Sequence, residues 1–120
     1  LREKMNKFKV PAYLVNTGWV GCNASSGAAR ISLPITRQII HAILDGSIQS
    51  SEFAEDPYFG FQVPITLADI DPGILVPKSA WTDESEYTNT AHVLVQKFQN
   101  NFKEYDRGDE VVKNAGPTIN

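Results

Sequence analysis

The sequence predicts an α/β fold of the mixed α+β kind, and three observations carry that reading. Residues 83–105 keep their apolar side chains on one face at the 3.6-residue period of a helix. Residues 34–45 show a shorter stretch of the same pattern, opened by Pro34 and closed by Gly46. Two apolar runs, VPAYLVN at 10–16 and YFGFQVPIT at 58–66, are bounded or broken by turn residues in the manner of short strands.

Length and composition limit the functions on offer. With 120 residues, the chain is one domain or a piece of one. At 42% hydrophobic and 21% charged it has the balance of a globular sequence. A net charge of −3 argues against nucleic acid or an anionic membrane as partner. The basic residues cluster only in the first nine, at Arg2, Lys4, Lys7 and Lys9, where a solvated helix face accounts for them. Cys22 stands alone, which excludes an internal disulfide framework and points to a reducing, cytoplasmic setting. Without a signal segment or paired cysteines, the sequon Asn23-Ala24-Ser25 is expected to stay unglycosylated. The chain begins without Met, in what reads as the end of a helix, as the tail of a longer protein would.

Taken in order, residues 1–9 read as that helix end, stopping before Pro11. Residues 10–16 read as a buried strand closed by Asn16-Thr17-Gly18. Residues 18–29, with three glycines and no period, read as a loop. In the 34–45 helix, Pro34 suits the first position and Ile35, Ile39, Ile40 and Ile43 make the apolar face. Residues 52–80 hold four prolines, too many for a long element, and so long an irregular tract fits a segment draped over a larger body. Asp83 and Glu86 have capping-box spacing at the start of the last helix. Its face is Tyr87, Ala91, Leu94, Val95, Phe98, Phe102 and Tyr105, expected to be core, so that Phe98→Ala would cost about 3–5 kcal/mol. Residues 106–120 read as a polar, fraying tail.

Several chemistries fail on spacing. A triphosphate cradle needs G-x-x-x-x-G-K-[ST], whereas Gly27 is followed by Ala28 and Ala29 with no Lys. The G-x-G-x-x-G dinucleotide pattern and the G-x-S-x-G nucleophile elbow are absent. His41, His92 and Cys22 lack metal-ligand spacing, and the two histidines read as packing or surface residues. The carboxylates of Asp45, Glu52, Glu55, Asp56, Asp69 and Asp71 read as loop and cap groups. What remains is Arg30-Ile31 leading into a helix with Thr36 in its first turn. A guanidinium can stack on a flat base, Ile can flank the ring, and a Thr hydroxyl or a free backbone donor can read a base edge. A surface Arg and a helix-start Thr would look the same.

The run YLVNTGW, then a Gly-rich loop, then RISLPITRQIIHAILDGSI resembles the C-terminal region of ATP-dependent phosphoenolpyruvate carboxykinases. The likeness continues through DPYFGFQVPITLADIDPGILVPKSAW, VLVQKFQNNFKEY and NAGP, from about Val10 to Pro117 in family order. It implies that residues 1–120 are the C-terminal part of the nucleotide-binding domain of a larger two-domain enzyme. That enzyme would convert oxaloacetate and ATP to phosphoenolpyruvate, CO2 and ADP in gluconeogenesis. The resemblance further implies that the phosphate cradle, the Mg2+ and Mn2+ ligands and the oxaloacetate site lie upstream. This segment would then bind no metal, hold no catalytic residue and be inactive alone, giving Arg30, Ile31 and Thr36 to the adenine pocket. One departure stands out. The family usually carries Gly-Lys before the Arg, where this chain has Ala28-Ala29, so a charge beside the triphosphate is missing. A non-catalytic nucleotide-binding or interaction module, or a structural segment packing on a larger domain, are the alternatives.

Overall fold

A computed structural model describes residues 2–22 and 27–119. The sequon, and the middle of the loop read at 18–29, lie outside them. The elements are α1 (Arg2–Phe8), β1 (Trp19–Val20), β2 (Ala29–Arg30), α2 (Leu33–Leu44), β3 (Phe53–Glu55), β4 (Gln62–Pro64), α3 (Pro72–Leu75), α4 (Glu84–Phe102) and α5 (Glu110–Asn114). Two 3-10 turns, Ser47–Ser50 and Pro77–Ala80, complete the order. The mixture of helix and strand is the predicted one.

Helix α2 starts one residue earlier than its proline suggested. Ser32 caps it, with its hydroxyl accepting from the Ile35 N–H at 3.5 Å, and Pro34 falls at the second helical position. The stop is as read: Gly46 adopts a left-handed φ of 81°, which a side chain would resist. Asp45 accepts from the Ser47 N–H at 2.9 Å, and hydrogen bonding from Ser47 lowers its pKa. The inward face is Ile35, Ile39 and Ile43 with buried Thr36 and Ala42, while Ile40 is exposed. At 100° per residue Ile40 stands about 140° from Ile35 and about 100° from Ile39, at the edge of the stripe. Ala42 meets Ile48, Leu67 and Ile70, with Ile74 and Leu75 at the margin.

The second packed region forms under α4. Asp83 accepts from the N–H groups of Ser85 at 2.7 Å and Glu86 at 3.1 Å. Tyr87, Ala91 and Val95 are buried, and Val95 is fully enclosed. The aromatic loop between β3 and β4 covers this face: Tyr58 lies edge-on to His92 at 5.4 Å and Phe59 edge-on to Phe98 at 6.0 Å. Strands β3 and β4 pair antiparallel, Phe53 opposite Pro64 and Glu55 opposite Gln62, so the expected strand in 58–66 has a partner that the sequence did not announce.

Three readings are corrected. Residues 10–17 form no strand, and no strand pairs with them among the described residues. A strand needs a neighbour's backbone groups; here Leu14 is 82% exposed. The α4 stripe is buried only in part: Leu94 and Phe98 are exposed, the latter at 52%, Phe102 is half-buried, and Tyr105 lies exposed beyond the helix. The tail is not frayed: Asp109 caps α5 through the Val111 and Val112 N–H groups, and Gln99 Nε2 donates to the Pro117 carbonyl at 2.9 Å.

The shape is flattened, 43 × 38 × 22 Å, with a radius of gyration of 15.8 Å against about 14 Å for an independent domain of this length. Its accessible surface of 8966 Å² exceeds by about 2,500 Å² what a self-sufficient monomer of this mass exposes. Among the described residues no helix is long and apolar enough to cross a membrane.

Candidate functional site

The three residues singled out in the sequence lie along one short path, from β2 into the first turn of α2. β1 and β2 make a minimal antiparallel pair, Trp19 opposite Arg30 and Val20 opposite Ala29. The ladder extends one step further, with the Ile31 N–H donating to the Gly18 carbonyl at 2.9 Å. Two contacts fix this hairpin. Asn16 brackets the turn, its Oδ1 accepting from the Gly18 N–H at 2.9 Å and its Nδ2 donating to the Trp19 carbonyl at 3.2 Å. Gly21, at φ 92°, passes so close to the Pro77–Ala80 turn that a Cβ would stand 3.0 Å from the Ala80 carbonyl oxygen.

Arg30 is exposed, and its guanidinium carbon stands 5.4 Å from the centroid of the Trp19 ring, which is itself 50% exposed. Ile31 is buried, and Thr36 is buried at the head of α2. Of the three, therefore, only Arg30 presents a broad open surface. The Thr36 backbone offers nothing further, because its N–H donates to the Ser32 carbonyl at 3.0 Å. The free backbone donor expected at the helix start is therefore not Thr36's own, and Ser32 Oγ takes the Ile35 N–H as well. What Thr36 can offer is its hydroxyl.

The site is a wall and not a hollow. A cleft of 230 Å³ lined by Gln38, Ala42, Ser47, Ser50 and Thr66 lies on the far half of α2. An apolar cavity of 130 Å³ lies under Val63, Ile65 and Tyr87. Neither includes Arg30, Ile31 or Thr36. His41 is exposed on α2, and His92 packs on Tyr58. Among the described residues no three His, Cys, Asp or Glu side chains gather as a metal site would require.

Sequence reasoning gave Trp19 no role at the site, although its ring faces the guanidinium. Its only signal was the Asn-Thr-Gly turn before it, since a two-residue strand is too short for any period to show.

Comparison with known proteins gives a consistent answer. The family model for phosphoenolpyruvate carboxykinase matches residues 1–73. The chain is 42% identical over 119 residues to the phosphoenolpyruvate carboxykinase (ATP) of Methylobacterium radiotolerans, with 98% of this chain covered and 22% of the relative. The enzyme of the same name from Sulfurimonas denitrificans is 45% identical over 121 residues, covering 99% and 23%. That from Novosphingobium aromaticivorans is 43% identical over 119 residues, covering 98% and 22%. The chain thus spans between a fifth and a quarter of the length of these relatives.

Proposed function

This chain belongs to the phosphoenolpyruvate carboxykinase family, and from that membership we propose that it forms the adenine side of the ATP pocket in a cytoplasmic, gluconeogenic enzyme. That enzyme converts oxaloacetate and ATP to phosphoenolpyruvate, CO2 and ADP. The observation that carries the reading is the exposed Arg30 guanidinium, held at a hairpin end where the chain passes directly into Ile31 and the head of α2.

An adenine ring is flat and neutral, and the residues present fit it. Arg30 stacks by cation–π contact. Ile31, buried directly after Arg30 in the chain, adds apolar surface at the edge of the pocket. The Thr36 hydroxyl can donate to or accept from a base edge. The upstream part of the same enzyme supplies the ligands of the phosphates and of Mg2+ and Mn2+ and binds oxaloacetate. The surplus exposed surface supports that division, being the size of a permanent subunit or domain contact. Leu14 and its neighbours are the part of it most in need of cover.

Titration of the intact enzyme with ATP and with inorganic triphosphate tests the reading. Arg30→Ala weakens ATP binding by up to about thirtyfold and leaves triphosphate and oxaloacetate unaffected. Arg30→Lys restores little, since it keeps the charge and loses the planar stack. Equal loss for both ligands would place Arg30 at the phosphates. No loss for either would leave the segment a structural one. The isolated chain forms no phosphoenolpyruvate from oxaloacetate and ATP, because phosphoryl transfer needs a positioned metal and a phosphate cradle.

A further inference from the structure

We propose that Trp19 is a positioning residue for Arg30, and that through Arg30 it sets how strongly the enzyme prefers ATP to a bare triphosphate. The proposal rests on the adenine assignment above and adds a residue to it.

Trp19 is half exposed, and the backbone around it is held in place. Asn16 ties both the amide before Trp19 and the Trp19 carbonyl, the ladder seats Trp19 opposite Arg30, and Gly21 brings the outgoing strand against the Ala80 carbonyl. All these restraints act on the backbone that carries the ring. The ring in turn carries the guanidinium, 5.4 Å from its centroid.

An exposed Arg samples many rotamers, and a ligand that needs one of them must bear the cost of freezing the rest. A guanidinium already stacked on one ring meets a second ring with that cost removed. Its opposite face stays available, because Arg30 is exposed. The order Trp19, guanidinium, base gives a three-layer stack whose outer layer comes with the nucleotide. A triphosphate has no ring to complete the stack, so it gains nothing from Trp19.

The test uses the full-length enzyme, with Trp19→Phe, Trp19→Leu and Trp19→Gln made both in the native background and with Arg30→Ala. Each is titrated with ATP and with inorganic triphosphate. Trp19→Leu and Trp19→Gln, which remove the π face, weaken ATP binding between about two- and tenfold and leave triphosphate unchanged. Trp19→Phe keeps most of the affinity. With Arg30→Ala in place, none of the three has a further effect, since a residue that acts through Arg30 has nothing left to act on. Additive losses on top of Arg30→Ala would overturn the proposal, as would equal losses for ATP and triphosphate, which report a displaced hairpin. If Arg30→Ala weakens ATP binding while Trp19→Leu and Trp19→Gln do not, Arg30 works unaided and only this proposal falls. If Arg30→Ala itself leaves ATP binding intact, the adenine assignment falls and takes this proposal with it.

Discussion

The Thr118 N–H donates to the Tyr58 carbonyl at 2.8 Å, joining the last residues of the chain to the aromatic loop that covers α4. Gln99 reinforces the link from the helix side through its bond to the Pro117 carbonyl. Removing the Gln99 amide with Gln99→Ala loosens this closure by about 0.5–1.5 kcal/mol. Hydrogen exchange at the Thr118 amide is the readout, and it rises several-fold in the variant while the amides at the centre of α4 keep their protection.

Along α4, burial and not hydrophobicity decides the cost of truncation. Val95 is 0% exposed and Phe98 about half exposed. Val95→Ala therefore costs about 1.5–3 kcal/mol. Phe98→Ala costs about 1 kcal/mol, from the Phe59 edge contact and partial burial, and not the 3–5 kcal/mol its place in the stripe suggested. Urea titration of the chain ranks the two. A Phe98→Ala cost equal to that of Val95→Ala would mean that something covers Phe98 in solution.

Asp83→Ala removes the side chain that satisfies two orphan N–H groups at the head of α4 and costs about 0.5–2 kcal/mol. Asp83→Asn, which keeps an acceptor in the same place, costs less. The denaturant midpoints of the two variants separate capping by hydrogen bond from attraction to the helix dipole.

The elements that were legible in the sequence are those whose cause is local. α4 and α2 announce themselves because their signals are local, at Asp83, Pro34 and Gly46, while the Ser32 cap was not read. Residues 10–16 have the composition of a strand, but pairing belongs to two segments, and a single apolar run does not reveal whether a partner exists. The tail is polar enough to read as loose, yet its order comes from Tyr58 and Gln99, far away in the chain. In the candidate site, Arg30 could be singled out because guanidinium chemistry is a property of one residue. The contact with Trp19 depends on a two-residue ladder, and the fate of the Thr36 N–H depends on Ser32. Both are geometric facts that letters alone do not carry.

Tyr87 gives the chain a pH dependence at its alkaline end. Burial, then the charges of Asp56 and Tyr58, raises its pKa above the ordinary value near 10. Above pH ~10 the unfolded chain releases this proton while the folded chain keeps it, so stability falls as pH rises toward the folded-state pKa. Tyr87→Phe has no such proton to lose. Followed from pH 8 upward, the wild-type denaturation midpoint falls relative to that of Tyr87→Phe if burial governs this tyrosine. Parallel curves would contradict it.

Ala29 is where the family resemblance expects a Lys, and β2 determines what restoring one would do. Successive residues of a strand face opposite ways, so a side chain at 29 points away from the face on which Arg30 meets Trp19. Ala29 is exposed, and its cross-strand neighbour is the half-buried Val20. Ala29→Lys in the intact enzyme therefore adds a charge without disturbing the Arg30 stack. A unit charge about 4 Å from a phosphate oxygen in water contributes on the order of 1 kcal/mol, close to fivefold in affinity. The gain appears equally for ATP and for inorganic triphosphate, because the ammonium reads phosphate and not base. It shrinks as ionic strength rises and the Debye length contracts. Preference for ATP over triphosphate stays as it was. Titrations with both ligands at low and high salt decide the matter: a gain confined to ATP would put residue 29 on the adenine side, and no gain at all would put it beyond reach of the nucleotide.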